Sequence, residues 1–373
     1  MGGRERSMEA LGMKSEFWRG KRVLVTGHTG FKGGWVSLAL SHLGASVHGL
    51  ALAPSEDRPA LFSELDLESL VEHRICDIRD LSAVGTAFQQ VRPEVVFHLA
   101  AQSLVKLSYD DPVPTYATNV MGTVHVLEAC RAIPELRSVV VVTSDKCYEN
   151  MGWSWGYREI DQLGGKDPYS NSKACAEFVT RAYRDSFFGR PNGPRLASVR
   201  AGNVIGGGDW APFRLIPDAM RAFLADEVLL VRNPTATRPW QHVLEPIFGY
   251  LQLAEALYEG GSYEGAWNFG PARSDNLAVS AVVSKLVELW GGDARWQSEP
   301  GIQLPEAQVL HVDSSKAIDA LGWKPTISLD TALAWTVDWF KAQQSSADMR
   351  SVTMQQVQEF IVKRSQSNEV TAQ

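Results

Sequence analysis

The sequence predicts an α/β protein in which a doubly wound parallel sheet carries a smaller C-terminal substrate-binding lobe. From Lys21 onward, apolar runs of strand length alternate with longer segments of helical periodicity, as in βαβ units. Three glycines follow the first apolar run, as they do where a Rossmann-type sheet turns into its first helix. After Val204 this alternation gives way to stretches rich in glycine, proline and tryptophan, which are typical of loops over a site.

The individual elements follow from these runs in order. Strands of the sheet are predicted at residues 23–25, 47–50, 95–99, 139–142 and 196–200, with a further strand that ends before Cys76. Helices are predicted at residues 31–43 and 115–132. A short apolar run near 266–270 is expected to return to the sheet.

The length of the chain limits its domain organisation. At about 100–200 residues per domain, 373 residues allow one large unit or two to three small ones. We expect a dinucleotide-binding domain over residues 20–203 and a lobe mainly over 204–343. Residues 1–19 are expected to form a flexible extension. Residues 344–373 are expected to form a tail that frays, apart from one helical turn at 357–362.

Composition excludes several classes of protein. Apolar residues make up 45% of the chain and charged residues 21%, which excludes extended disorder. The net charge of −7 and the lack of a basic block argue against a nucleic-acid partner. No stretch approaches the roughly 18 apolar residues of a membrane span, so no membrane partner is expected. The four cysteines are too widely spaced for a zinc or redox motif, which indicates a cytoplasmic protein with reduced thiols and no metal.

The glycine cluster predicts a pyrophosphate site. Gly27, Gly30 and Gly33 stand between the first strand and the first helix, where backbone N–H groups and the helix dipole attract phosphate oxygens. Their spacing is G-x-x-G-x-x-G, and the alternative is a glycine-rich turn without a ligand.

The residues expected at the adenosine end leave the cofactor's form open. Glu56 or Asp57 after the second strand favours NAD, whereas Arg58 would suit a 2′-phosphate. We prefer NAD. Asp77 after the third strand is a candidate acceptor for the adenine amino group. The alternative for Asp77 is the N-cap of the next helix, but Asp80 suits that role better.

Two groups of polar residues predict the reacting end. Tyr169 and Lys173 are four residues apart and so share a helix face, where Lys173 would lower the pKa of the phenol and make Tyr169 a general base. Ser144, Asp145 and Lys146 follow the fifth strand at the ligand-binding edge of the sheet, as hydrogen-bond donor, acid and base. The alternatives are a surface Tyr–Lys pair and ordinary polar loop residues.

These motifs, with HLAA at residues 98–101, resemble the extended short-chain dehydrogenase/reductases that act on nucleotide sugars. The stretches GHTGFKGGW, DIRD, TSDKCYEN, GGKDPYSNSK, RAGNVIGGGDW and RPWQHV resemble the CDP-glucose branch of its 4,6-dehydratases. The resemblance covers residues from about 21 to 340. It implies NAD as cofactor, and it adds Phe31, Ile78 and Ala100, with Tyr169 and Lys173, to the expected cofactor contacts.

The resemblance also implies a reaction and a role for each residue. Tyr169 would take the proton of the sugar C4 hydroxyl while a hydride passes to NAD. Lys146, which replaces the usual Glu as in the CDP-glucose branch, would remove the C5 proton. Asp145 would protonate the departing C6 hydroxyl, and the hydride would return to C6 to give a 4-keto-6-deoxy sugar.

Further residues are candidates for binding the sugar nucleotide. Asn203, Arg214 and Arg238 are proposed for the diphosphate, with a salt bridge or turn as the alternative for each. Gln102 and Ser108 are candidates for sugar hydroxyls. Trp153 and Trp155 either cover the site or simply pack.

Other functions are kept as alternatives. They are a nucleotide-sugar 4-epimerase, a 4,6-dehydratase of another nucleotide sugar, and a non-catalytic NAD-binding sensor. An epimerase has no use for the acid and base Asp145 and Lys146. By analogy of fold, helices 115–132 and 169–188 are expected to pair with their copies in a homodimer or higher homo-oligomer.

Overall fold

A seven-stranded, fully parallel sheet forms the centre of the molecule, in the order β10-β6-β5-β4-β1-β2-β3. The computed structural model describes residues 16–189, 193–300 and 309–369. The sheet strands are β1 Arg22–Thr26, β2 Ser46–Ala51, β3 Glu72–Ile75, β4 Val95–His98, β5 Ser138–Val142, β6 Arg195–Ala201 and β10 Gly265–Phe269. The chain therefore has the predicted Rossmann-type α/β fold, and β10 returns to the sheet beside β6 as expected.

Apolar sequence on both sides of the strands explains why the sheet is central. Val23 lies opposite Val47 on one neighbouring strand and Val95 on the other, and all three side chains are buried. Such near-continuous apolar strands suit a parallel sheet that is covered on both faces by helices.

The helices follow the strands in an alternating order. Those of the first half are α1 Phe31–His42, α2 Leu61–Glu64, α3 Leu81–Val91, α4 Val105–Asp110, α5 Pro112–Tyr116, α6 Gly122–Arg131 and α7 Pro168–Tyr183. A π-helical turn at Ala117–Met121 joins α5 to α6. The second half contains α8 Leu215–Leu224, α9 Leu244–Tyr258, α10 Val279–Trp290, α11 Ser315–Leu321, α12 Leu329–Gln344 and α13 Met349–Glu369.

Two small sheets lie in the part of the chain predicted to form the lobe. One has the order β11-β9-β7, and the other pairs β12 with β8. Their strands are β7 Asn203–Ile205, β8 Leu229–Val231, β9 Thr237–His242, β11 Asn276–Ala278 and β12 Trp296–Ser298. One hydrophobic cluster is shared by the large sheet and this region, so the boundary between residues 203 and 204 stays a prediction.

The structure corrects the expectation for residues 344–373. Met349–Glu369 form a 21-residue helix, in which Val357, Phe360 and Ile361 are buried at helical spacing. The mean hydropathy of the helix is low, and this hid it in the sequence. At its start, Arg350 Nε donates to the carbonyl of Leu65 at 2.7 Å. Residues 370–373 lie outside the described part of the chain.

The N-terminal expectation also needs a correction for its last residues. Trp18 is fully buried, with its ring centroid 6.1 Å from that of Phe97 in β4. It therefore belongs to the core and not to a flexible extension. Residues 1–15 of the predicted extension lie outside the described residues.

Three exclusions drawn from composition can be compared with the structure. All four cysteines are free thiols. In the described ranges, no cluster of His, Cys, Asp or Glu is arranged to hold a metal ion. None of the described helices combines the length and apolarity needed to cross a membrane.

Candidate active site

A cavity of about 970 Å³ opens at the carboxyl edge of the large sheet and extends towards β7, β8 and β9. In an open α/β sheet this edge is the ligand-binding side, because the loops after the strands diverge there. Most of the predicted site residues contribute to its lining: Gly27, Gly30, Phe31, Gly33, Asp77, Ile78, Ala100, Gln102, Ser144, Asp145, Lys146, Tyr169, Lys173, Asn203, Arg214 and Arg238.

The glycine turn forms one wall and fits a dinucleotide pyrophosphate. Gly27 has φ +77°, and a Cβ there would meet the backbone nitrogen of Ala100 at 2.7 Å. A Cβ on Gly33 would lie 2.1 Å from the carbonyl oxygen of Gly27. Among the described residues no side chain caps the N-terminus of α1 at Gly30. The backbone N–H groups of the first turn are therefore left to a ligand such as the NAD pyrophosphate.

At the adenosine end the structure brings only part of the predicted set together. Asp77 lines the cavity and accepts hydrogen bonds from Arg79, which hold the pKa of its carboxyl below the usual value. Glu56, Asp57 and Arg58 are exposed and are not part of the cavity wall. Asp80 caps α3 by accepting from the backbone N–H of Ala83 at 3.0 Å, as expected.

The turn after β5 presents the predicted acid and base. Ser144 Oγ donates to Asp145 Oδ1 at 3.1 Å and accepts from the backbone N–H of Lys146 at 3.2 Å. Asp145 is 3% exposed. Burial raises the pKa of Asp145, against the opposing effects of Lys146, Ser144 and Arg238. A raised pKa keeps a carboxyl protonated at higher pH, which suits a proton donor.

Tyr169 and Lys173 stand on α7, which is capped by Asp167 through a 2.9 Å bond from the N–H of Ser170. Burial raises the pKa of Tyr169 to about 12, and Ser144 and Arg214 oppose this rise. Burial also lowers the pKa of Lys173 to about 8. Burial, and not Lys173, therefore sets the direction of the shift in the phenol's pKa. The Lys173 ammonium instead donates to the carbonyl of Val142 at 3.3 Å.

A buried ionic network joins α7 to the carboxyl ends of β5 and β6. Glu177, one turn after Lys173, accepts from the guanidinium of Arg200 at 2.9 and 2.8 Å. The same carboxylate accepts from the hydroxyls of Thr143 and Ser198. These bonds and the Arg200 charge overcome burial and hold the pKa of Glu177 below its ordinary value. Glu177 therefore connects α7 to the ends of β5 and β6.

Most of the predicted substrate-binding residues line the cavity, and some of them also bond to neighbouring groups of the protein. Asn203, Arg214 and Arg238 line the cavity. Arg214 also donates to Asp209 at 3.0 Å and to Ser103 at 2.8 Å, so the alternative salt bridge exists. Gln102 lines the cavity, but its side-chain amide donates to the carbonyl of Leu104 and the hydroxyl of Thr115.

Ser108 requires a correction. Its side chain is fully buried and does not line the cavity. It accepts from the backbone N–H of Tyr169 at 3.1 Å and donates to the carbonyl of Val105 at 2.7 Å. Ser108 thus satisfies a free N–H in the first turn of α7 and positions Tyr169 without facing a sugar.

Trp153 and Trp155 belong to an aromatic stack, and neither lines the cavity. Trp155, Trp153, Tyr157 and Tyr148 follow one another with ring centroids 5.2–5.3 Å apart. The Tyr148 hydroxyl at the buried end accepts from Arg200 at 2.7 Å. Of the two alternatives, the described residues favour packing.

Several lining residues were missed by the sequence analysis: Lys32, Arg79, Lys106, Arg232 and Asn233. Lys32 and Arg79 lie inside motifs that had been singled out, GHTGFKGGW and DIRD, so a cation within each motif was the available signal. Arg232 and Asn233 follow β8, and their approach to the site depends on tertiary structure alone.

Comparison with known proteins shows which family this chain resembles in sequence. The model of the family described as "NAD dependent epimerase/dehydratase family" matches residues 23–270. A CDP-glucose 4,6-dehydratase from Salmonella typhimurium is 50% identical over 351 residues, which cover 92% of this chain and 97% of that protein.

Solved structures have the same fold. A UDP-glucose 4-epimerase from Thermus thermophilus in complex with NAD has a TM-score of 0.73 at 25% identity, covering 86% of this chain and 98% of that one. A dTDP-glucose 4,6-dehydratase from Bacillus anthracis in complex with NAD has a TM-score of 0.71 at 22% identity, covering 87% and 98%.

Proposed function

The chain belongs to the NAD dependent epimerase/dehydratase family, and from this premise we propose that it catalyses the NAD-dependent 4,6-dehydration of CDP-glucose. The product is CDP-4-keto-6-deoxyglucose, and the enzyme is a hydro-lyase. The observation that carries the proposal is the pair Asp145 and Lys146 in one cavity with Tyr169 and Lys173. The 50% identity to a CDP-glucose 4,6-dehydratase supports the same reaction.

NAD is the cofactor that this site fits. The uncapped start of α1 and the close approach of Gly27 and Gly33 to neighbouring backbone support binding of its pyrophosphate, with Phe31 and Ala100 beside it. Asp77 and Ile78 are proposed for the adenosine, and Tyr169 and Lys173 for the end that reacts. When bound, NAD accepts a hydride from C4 of the sugar and returns it to C6.

The first step assigned to the chain is oxidation at C4. Tyr169 accepts the proton of the C4 hydroxyl, and Ser144 donates a hydrogen bond to the same oxygen. Because burial raises the pKa of the phenol to about 12, Tyr169 accepts this proton only after it has given up its own. The acceptor proposed for the phenol's proton is the neutral amine of Lys173, one turn later on α7, because its lowered pKa of about 8 leaves part of it unprotonated near neutral pH.

The second step is elimination across C5 and C6. The C4 ketone makes the C5 proton acidic, and Lys146 accepts it. Asp145 gives its proton to the C6 hydroxyl, which leaves as water. Burial supports this division of roles, because a buried carboxyl holds its proton until the leaving group needs it.

The cations beyond the sheet are proposed to bind the diphosphate. Arg238 is 5% exposed and lines the cavity with Asn203 and Arg214. Guanidinium groups match phosphate oxygens through paired hydrogen bonds. The preference for the cytosine nucleotide is supported by the relative's identity and not by a recognised pair of residues around the base.

A homodimer in the cytoplasm is proposed as the working form. Exposed apolar side chains lie on α5, on α7 and on the π-helical turns Ala117–Met121 and Arg184–Phe188: Val113, Tyr116, Met121, Phe178 and Phe187. A second copy would remove this surface from water. Light scattering coupled to size exclusion tests the dimer, since a monomer at micromolar concentration contradicts it.

The cytoplasm is proposed as the compartment because all four cysteines are free thiols, which supports a reducing environment.

Mass spectrometry of the reaction tests the function. The purified protein is incubated with NAD and, separately, with CDP-glucose, dTDP-glucose and GDP-mannose. Loss of one water from CDP-glucose alone, with no net formation of reduced cofactor, is the expected result. Conversion of another substrate with equal efficiency would change the nucleotide assignment. An unchanged mass in all three reactions, with NAD bound, would contradict the dehydratase and favour an epimerase or a cofactor-binding protein.

A further inference from the structure

Two contacts at the rim of the cavity join parts of its wall that are far apart in the sequence. The guanidinium of Arg214 donates to the hydroxyl of Ser103 at 2.8 Å. The ammonium of Lys106 lies 4.2 Å from the ring centroid of Phe213. All four side chains line the cavity, and Ser103, Lys106 and Phe213 are exposed to solvent. The contacts therefore lie where the cavity meets the solvent, and we call these four residues the rim bridge.

Each half of the rim bridge is attached to a different part of the site. Lys106 lies in α4, and in the same helix the hydroxyl of Ser108 accepts from the backbone N–H of Tyr169 at 3.1 Å. Phe213 lies in the loop before α8. Its carbonyl accepts at 2.8 Å from the guanidinium of Arg232, which directly follows β8. The rim bridge therefore connects the helix that contacts Tyr169 to the part of the chain that carries the proposed diphosphate ligands.

The backbone of Phe213 has a conformation that a large side chain rarely adopts. Its φ is +63°, in the left-handed region that favours glycine. Such a conformation persists only where surrounding contacts hold it, and it is frequent at ligand clamps. Here Arg232 bonds to the carbonyl of Phe213, and the ammonium of Lys106 lies over its ring. The ring is thereby kept at the rim, where it is 44% exposed, and does not enter the core.

The proposed reaction requires a closed cavity between its two hydride transfers. After oxidation at C4, the protein holds reduced cofactor and a 4-keto sugar, and elimination then gives this sugar a C5–C6 double bond. Escape of either sugar would leave a reduced cofactor without the molecule that should take its hydride back. The site must therefore open for substrate and product and stay shut for the intermediates. Closure of an active site excludes water and prevents such losses.

We propose that the rim bridge is the closing contact that retains these intermediates. Both of its contacts are at the exposed rim, where cation–π contacts and hydrogen bonds are individually weak. They can therefore break for each substrate and product without disturbing the buried core. Lys106 and Phe213 act by closing the cavity, and they take up no proton or hydride. This inference rests on the proposed dehydration, because the intermediates belong to that reaction.

The test uses variants of Lys106 and Phe213, since Arg214 is already assigned to the diphosphate. Lys106→Met and Phe213→Leu remove the cation and the aromatic ring, whereas Lys106→Arg and Phe213→Tyr keep them. Lys341→Met is the matched control, because the Lys341 ammonium also lies near an aromatic ring, 5.8 Å from the centroid of Trp290, but outside the cavity. Thermal unfolding and NAD content establish that each variant is folded and loaded.

An isotope crossover experiment measures the escape of intermediates. Each enzyme receives an equal mixture of CDP-glucose with deuterium at C4 and CDP-glucose with carbon-13 throughout the sugar. In a closed cavity the deuterium returns to C6 of the same sugar, so no product carries both labels. Escape is the sum of doubly labelled product and free 4-keto sugar, both measured by mass spectrometry.

Lys106→Met and Phe213→Leu are expected to raise this escape at least about 10-fold over the wild type, because their cavities no longer close. Lys106→Arg and Phe213→Tyr should lower it again, and Lys341→Met should equal the wild type. Wild-type escape in both Lys106→Met and Phe213→Leu would overturn the proposal.

A second readout does not depend on turnover. The protein is loaded with NADH, whose fluorescence is quenched by acrylamide that enters the cavity. Lys106→Met and Phe213→Leu should raise the quenching constant by about 2-fold or more, and Lys341→Met should not. Raised quenching in a protein that does not dehydrate CDP-glucose would refute the proposed function and keep the rim bridge. Unchanged escape in an active enzyme would refute the rim bridge alone.

Discussion

Glu177 and Arg200 form a two-bond ion pair, with N–O distances of 2.9 and 2.8 Å, beside the carboxyl end of β5. Both side chains are 3% exposed. The carboxylate also accepts from the hydroxyl of Thr143, the residue before Ser144, so the pair is bonded to the start of the turn after β5.

Glu177→Ala is therefore expected to destabilise the protein severely. Removing one partner of a buried pair typically costs about 3–5 kcal/mol, because the other charge stays buried without compensation. Urea unfolding monitored by circular dichroism measures the loss. The control is Glu128→Ala, which breaks an exposed pair with Arg131 and should cost far less. Equal costs for the two variants would contradict the structural importance of the buried pair.

Tyr169→Phe is expected to lower kcat by about 10²–10⁴-fold, since it removes only the group proposed to accept the C4 proton. NAD content should not change, because the ring still fills its place in the cavity wall. Tyr183→Phe is the control, as its hydroxyl donates to Glu128 away from the site. A Tyr169→Phe enzyme with near wild-type turnover would show that another group accepts the proton.

Lys146→Met is expected to separate the two steps. Oxidation at C4 should proceed with Tyr169, and the reaction should then stop, so reduced cofactor accumulates on the protein. Stopped-flow absorbance after mixing with CDP-glucose measures the trapped species. Retention of the C5 hydrogen in deuterated water should accompany it. Exchange at C5 at the wild-type rate would exclude Lys146 as the base.

A stability prediction concerns Glu245 on α9. Burial raises the pKa of its carboxyl to about 7, although the N–H groups of Thr326 and Ile327 donate to it at 2.8 and 2.7 Å. Between pH 4.5 and 7 the folded state thus holds a proton that the unfolded state has released. Glu245 therefore makes stability fall as pH rises through this window, by up to about 1.4 kcal/mol per pH unit.

Glu245→Gln tests this sign. Chemical denaturation at several pH values should show a smaller decline from pH 4.5 to 7 than in the wild type. Glu259→Gln, at an exposed position just after the same helix, is the control. An equal decline in the variant and the wild type would mean that the carboxyl is ionised throughout the window.

Local patterns explain what could be predicted from the sequence. The glycine turn and the Tyr169–Lys173 pair depend on spacings within one turn or helix, and the structure brings them together. Ser108 was misjudged because its partner, the N–H of Tyr169, is 61 residues away. The pKa of Tyr169 was misjudged because burial is a property of the assembled site and not of the neighbouring lysine.

The packing of α13 has a consequence for biosynthesis. Phe360 completes a buried contact with Phe248, and Arg350 bonds to Leu65, 285 positions earlier. A ribosome makes the N-terminal strands first, and they can pair as they emerge. The apolar surface that α13 covers stays open until residues 349–364 have been translated. The nascent chain is therefore expected to engage chaperones late in synthesis, and ribosome-bound chains halted before and after α13 should differ in their protease resistance.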